Sequence, residues 1–123
     1  MTKSRTLLVI ADLFFAAKLK ECARSFGFDT VGAANLDVAK KRLVEARPDA
    51  VFLSMNKQGF DWEAFLTHVR ADNRTTNLPV LVFGSHVDRD GFRRADELGA
   101  NLVVPNSRVA SEFPYLLASL VRL

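Results

Sequence analysis

The sequence predicts one doubly wound α/β domain built on a five-stranded parallel sheet. Three observations carry this. The 123 residues are 49 % hydrophobic and 25 % charged, enough for one core and too few for two. Short continuous apolar runs alternate with segments of helical period from end to end, and the connections between them are brief and rich in cap and turn residues. Ten phenylalanines against six glycines and four prolines exclude a disordered or low-complexity chain.

The first strand is expected at residues 6–11, where Thr6-Leu7-Leu8-Val9-Ile10-Ala11 has the unbroken apolar character of a strand covered on both faces. From Asp12 the period becomes helical: Phe15, Leu19, Cys22, Ala23 and Phe26 share one side, and Lys18, Lys20, Glu21 and Arg24 lie mostly on the other. Gly27 closes this helix. A second strand at 29–33 leads through Asn35, a good cap, into a helix with Leu36, Ala39, Leu43 and Ala46 inward, ended by Pro48. The third strand is expected at 49–54, followed by a polar loop through Gly59 and a helix capped by Asp61 with Phe65, Leu66 and Val69 inward. After a polar stretch at 71–77, residues 79–83 read as the fourth strand, with Pro79 at its first position, where no ladder donor is missed. A short, polar helix after Asp88 closes at Gly99, and 101–104 form the fifth strand. Ser111 is expected to cap a last helix that has Pro114 in its first turn and buries Leu116, Leu117, Leu120 and Val121.

Strict alternation of strand and helix implies right-handed βαβ units and a flavodoxin-like strand order, 2-1-3-4-5. A ligand site in such a sheet lies beyond the carboxyl ends of the strands. Those ends are Ala11 and Asp12, residues 54–56, residues 84–86 and residues 105–107.

The formal net charge is +3 and the sequence pI is about 9.4, which raises nucleic acid as an alternative partner. Residues 1–47 carry nine basic and five acidic side chains, whereas 48–123 carry eight and nine. The excess therefore belongs to the first third of the chain, where the first helix is basic and the second carries Lys40, Lys41 and Arg42. In a doubly wound fold these helices cover opposite faces, so their cations make no continuous stripe, and nucleic acid is not the expected partner. A single cysteine, Cys22, suits a reducing cytoplasm. Two cations, Lys3 and Arg5, precede only four apolar residues before Ala11-Asp12, too few for a signal peptide or a membrane span.

The whole chain resembles the receiver domain of bacterial two-component response regulators, the CheY-like (βα)5 fold. The resemblance rests on the apolar strand ending in an acidic position, on Arg47-Pro48-Asp49-Ala50-Val51-Phe52-Leu53, on Asn77-Leu78-Pro79-Val80-Leu81-Val82 and on Gly99-Ala100-Asn101. It implies a single receiver-like domain over 1–123 with no effector domain. It also implies a phosphoryl-accepting aspartate at the end of the third strand, and Mg²⁺ held by that residue and an acidic pair after the first strand. A Thr or Ser after the fourth strand and a Lys after the fifth would bind phosphoryl oxygens. Carried onto this sequence, these positions are Ser54, the pair Ala11 and Asp12, Gly84 and Asn106.

Such a degenerate set is expected to have lost aspartyl phosphotransfer. Mg²⁺ prefers several carboxylate oxygens, and Asp12 alone is a weak remnant that reads better as a helix cap. Ser54 reads as a small polar residue in a vacated pocket, without a base at motif spacing. No metal and no cofactor are expected, and no catalysis. The expected role is that of a stand-alone pseudo-receiver binding a protein partner, such as a histidine kinase or another signalling protein, or a second copy of itself. Candidate contacts are Phe14 and Phe15, of which one should pack inward while the other serves a partner or plugs the former metal site. His86 at the same edge is a further candidate, as are Phe92, Arg93, Arg94 and Asn101 on the face of the fourth helix and fifth strand. The alternative function is a nucleic-acid accessory protein using the two basic helices.

Overall fold

In the computed structural model residues 5–123 are described, and the expectation concerning Lys3 lies outside them. The elements follow in the order β1 (Arg5–Ile10), α1 (Leu13–Arg24), β2 (Phe28–Val31), α2 (Leu36–Glu45), β3 (Ala50–Ser54), α3 (Trp62–Ala71), β4 (Val80–Gly84), α4 (Arg89–Glu97), β5 (Leu102–Pro105), α5 (Asn106–Val109) and α6 (Phe113–Leu120). All strand pairs are parallel and the order is β2-β1-β3-β4-β5, as the alternation implied. In register, Leu8 faces Val51 and Leu53 faces Val82, so the three central strands are apolar on both sides.

Burial on both sides creates two cores. The first gathers Leu7, Val9, Phe52, Leu81 and Phe83 beneath α1 and α6. Within it Phe52 stacks on Phe113, with ring centroids 5.3 Å apart. The second gathers Leu8, Ile10, Val51, Leu53, Val80 and Val82 beneath α2, α3 and α4. The basic helices α1 and α2 thus lie on opposite faces.

Four helices begin on side-chain caps: Asp12, Asn35, Asp61 and Asp88 each accept a hydrogen bond from a backbone N–H three residues on. The chain departs from the sequence expectations at its edges. Strand β2 ends at Val31 rather than Ala33, because it is an edge strand with one neighbour and the Gly32 carbonyl turns away to accept from Arg42 Nε at 3.0 Å. Strand β5 is shifted one residue later than expected. The one-turn helix α5 was not anticipated, and Ser111 does not cap α6. Instead the Ser111 hydroxyl donates to the Ser107 carbonyl at 2.9 Å, a local back-bond of the kind serine uses inside helical turns. Among the described residues no helix is long and apolar enough to cross a membrane.

Candidate functional site

The carboxyl edge of the sheet is where β1, β3, β4 and β5 deliver Ala11, Ser54, Gly84 and Pro105. Ser54, the last residue of β3, is 4 % exposed. Its Oγ accepts from the Asn56 N–H at 3.0 Å, and Asn56 Oδ1 in turn accepts from the Ser85 N–H at 3.2 Å. The Met55 N–H donates to the Phe83 carbonyl at 2.9 Å. These bonds tie the turn after β3 to the end of β4.

The tie explains Gly84. A Cβ built there would overlap Met55 Cε and approach Asn56 Oδ1 to 3.3 Å. The thioether therefore occupies the volume into which any larger residue at position 84 would project. On the other side of Ser54, the Lys57 ammonium donates to the Ala11 carbonyl at 3.2 Å. Asp12 Oδ1 accepts from the Phe15 N–H at 3.0 Å, so the remaining carboxylate caps α1. Asn106 opens α5, and its side-chain oxygen is buried with no hydrogen-bond partner among the described residues.

This arrangement can be set beside known proteins. Neither a family model nor a curated protein matches the sequence. Solved structures do. A candidate response regulator from Chloroflexus aurantiacus J-10-fl is 25 % identical, with 96 % of this chain and 98 % of that chain covered at a TM-score of 0.82. The signal receiver domain of a DNA-binding response regulator from Colwellia psychrerythraea 34H is 21 % identical over 93 % and 98 %, at 0.78. The chemotaxis response regulator CheY4 of Vibrio cholerae is 15 % identical over 97 % and 100 %, at 0.84. The chain has the receiver-domain fold. Its β3 terminus, where the receiver resemblance puts the phosphoryl acceptor, carries a serine.

Receiver chemistry implies Mg²⁺, and the donor set here does not fit it. A hard divalent cation takes six or more oxygens with carboxylates among them. Position 11 presents a methyl group, position 54 a hydroxyl already bonded to Asn56 and position 12 a carboxylate already bonded to the α1 backbone. Lys57 adds a positive charge at the Ala11 carbonyl. Among the described residues no group of three His, Cys, Asp or Glu side chains is placed to hold a metal ion.

The two phenylalanines after Asp12 part as their helical spacing required. Phe15 turns inward, with its ring 5.4 Å from Phe83, while Phe14 is 73 % exposed and meets Phe15 edge-on at 5.5 Å. Beside it Leu13 is 90 % exposed, and in the β4–α4 loop Val87 is 73 % exposed. His86 is exposed in that same loop.

The other candidates lie elsewhere. Phe92 is half-buried against the second core. Arg93 and Arg94 are exposed and share Glu97 at 3.8 and 3.6 Å, and Arg94 also reaches Glu63 at 3.4 Å. Asn101 Oδ1 accepts both from the Val80 N–H and from Arg70 Nη2, each at 2.8 Å, and so joins β4, β5 and α3.

Met55 and Lys57 were missed by sequence reasoning. Lys57 has no motif around it, and only the position of Ala11 across the β1–β3 pair makes its reach meaningful. Met55 follows an apolar strand like any other core residue, and the sole signal was the glycine at 84, where a hydroxyl was expected.

Proposed function

We propose that this protein is a receiver-fold signalling module that acts by binding a protein partner at its carboxyl edge and is not controlled by aspartyl phosphorylation. The observation that carries this reading is the closed turn Ser54 to Lys57. The hydroxyl at 54 accepts a backbone hydrogen bond, Met55 fills the space beside Gly84, and an ammonium replaces metal charge at Ala11. A serine hydroxyl is neutral where a carboxylate is already ionised, so it must lose its proton on attack and needs an adjacent base, which no residue bonded to Ser54 supplies.

With no phosphoryl switch, output depends on a standing surface. The exposed Leu13 and Phe14 after β1 and Val87 after β4 are the side chains we assign to that surface, since large apolar side chains left in water at the carboxyl edge of a sheet mark contact sites. Phe14 is the anchor, and Phe15 is its support from below.

Two measurements test the reading. Incubation with acetyl phosphate and Mg²⁺ should leave the intact mass unchanged, and a stoichiometric base-labile adduct would overturn it. Capture from the native cytosol, with the partner identified and its affinity re-measured in purified form, should be lost in Phe14→Ala and retained in Arg93→Glu/Arg94→Glu. The reverse pattern would move the contact to α4.

A further inference from the structure

The exposed apolar side chains at the start of α1 are accompanied by positive charge. A helix turns once in about 3.6 residues, so the exposed Lys18 follows Phe14 by one turn on the same side of α1. On the other side of the pair comes Lys57, half-buried in the turn after β3, whose ammonium donates to the Ala11 carbonyl at 3.2 Å. Leu13 and Phe14 thus have one lysine held at the carbonyl just before them and another one turn after them.

Neither lysine forms an ion pair among the described residues, whereas Arg93, Arg94 and Arg108 each do. The carboxylates nearest to them in sequence are otherwise placed. Asp12 is exposed and turned to the Phe15 N–H as the cap of α1, and Glu21, three residues after Lys18, makes no ion pair with it. The single bond of Lys57 goes to a neutral carbonyl, which leaves further donors of its ammonium unused. A half-buried ammonium is less screened by water than an exposed one, so a carboxylate brought against it gains more. Cations on both sides of an apolar contact select a partner of the opposite charge.

We propose that the partner seated on Phe14 is an acidic protein segment, an apolar side chain flanked by carboxylates. The apolar side chain covers Leu13 and Phe14, and the carboxylates meet Lys18 and Lys57. This inference rests on the reading of the carboxyl edge as a protein contact and supplies the chemistry of the partner.

The probes are the peptide acetyl-Asp-Glu-Leu-Phe-Glu-Glu-amide and its neutral twin acetyl-Asn-Gln-Leu-Phe-Gln-Gln-amide, each titrated into the isotopically labelled full chain by NMR. The acidic peptide should give saturable shifts at Leu13, Phe14, Lys18 and Lys57 and bind roughly ten-fold tighter than its twin, an advantage that should shrink as NaCl is raised from about 20 to about 500 mM. Lys18→Gln/Lys57→Gln should bring the acidic peptide down to the affinity of the twin and leave the twin unchanged, which also shows that the variant is folded. Phe14→Ala should weaken both peptides, and Lys41→Gln, on α2 across the sheet, neither. Equal binding of the two peptides at Phe14, or an acid preference that survives in the double variant, would overturn the acidic partner while leaving Phe14 as a contact. No saturable shift with either peptide would overturn it too, and the acetyl phosphate and capture measurements would still decide the reading beneath it. Shifts at these residues on concentrating the chain alone, or binding to phosphatidylglycerol vesicles without binding to the peptide, would overturn it in favour of a second copy or a membrane surface.

Discussion

At the residue scale the carboxyl edge is decided by which atoms fill a small volume. Met55 Cε lies where a Cβ at position 84 would go, and it is the far end of a flexible side chain, so it can move. Gly84→Ala should therefore destabilise the fold by about 1–2 kcal/mol through overpacking. In the Met55→Ala background the same change should cost little, which gives a coupling of at least about 0.5 kcal/mol in a urea double-mutant cycle. Additive losses would show that Met55 does not fill this space. In the loop after α3, the Arg74 hydrogen bonds hold the Asp72 carboxyl at about 2, from an ordinary 3.8. A depressed carboxylate stabilises the fold fully above its unfolded value, and that contribution is lost as pH falls through the folded one. The Asp72–Arg74 pair should thus persist from neutral pH to below 3.8 and break only near 2. An NMR titration of the Asp72 carboxyl checks this, and Arg74→Ala should return its midpoint toward 3.8. Of the site, the sequence made legible which positions lie together at the edge, because strand ends are set by apolar runs. It did not reveal what fills them, since Met55 and Lys57 act across strands that only the folded sheet brings together.

At the scale of elements, helix starts were readable and edges were not. Asp12, Asn35, Asp61 and Asp88 announce helices because each offers a side-chain acceptor immediately before a segment of helical period. The last helix shows the limit. Glu112 precedes α6 without a side-chain cap bond, and its carboxylate is taken by Arg108 at 2.7 and 3.0 Å. A pairing four residues back competes with capping, and no local pattern says which prevails. Asp12→Ala should cost about 1 kcal/mol in urea unfolding, the loss of one cap. The same loss in the presence and absence of Mg²⁺ would identify Asp12 as a cap and not a ligand, and a loss seen only with Mg²⁺ would do the opposite. Asn101 works between elements: it supplies the acceptor for the Val80 N–H at the start of a buried strand and for Arg70 on α3. Asn101→Ala should cost about 1–3 kcal/mol, because a part-buried donor loses its partner. Asn101→Asp keeps the acceptor and should cost less than half as much. Equal loss in both would point to side-chain shape and not the hydrogen bond.

At the scale of the whole molecule, the fold separates the doubly covered sheet from the carboxyl edge at which the proposed contact lies. Two cores grip one sheet from opposite faces. Marginal stability of roughly 5–15 kcal/mol leaves little margin for unpaired charge, and a receiver edge that gathers carboxylates needs a cation to offset their repulsion. Here the carboxylates are reduced to a cap at Asp12, and Lys57 brings its own positive charge to Ala11. The fold should accordingly be indifferent to Mg²⁺. A ligand that binds only the native state at a hundred times its Kd stabilises by about 2.7 kcal/mol. The thermal midpoint should therefore be the same in MgCl2 and in NaCl of equal ionic strength, or after EDTA treatment. The triple variant Ala11→Asp/Ser54→Asp/Lys57→Ala supplies the missing oxygens and removes the ammonium, so its midpoint should fall in the absence of metal and rise again with Mg²⁺. A wild-type midpoint that rises in saturable fashion with Mg²⁺ would mean that the edge still holds a metal and that the closed turn after β3 opens to admit it. An unresponsive triple variant would mean that the closed turn itself, with Met55 beside Gly84, excludes the metal whatever charges line it.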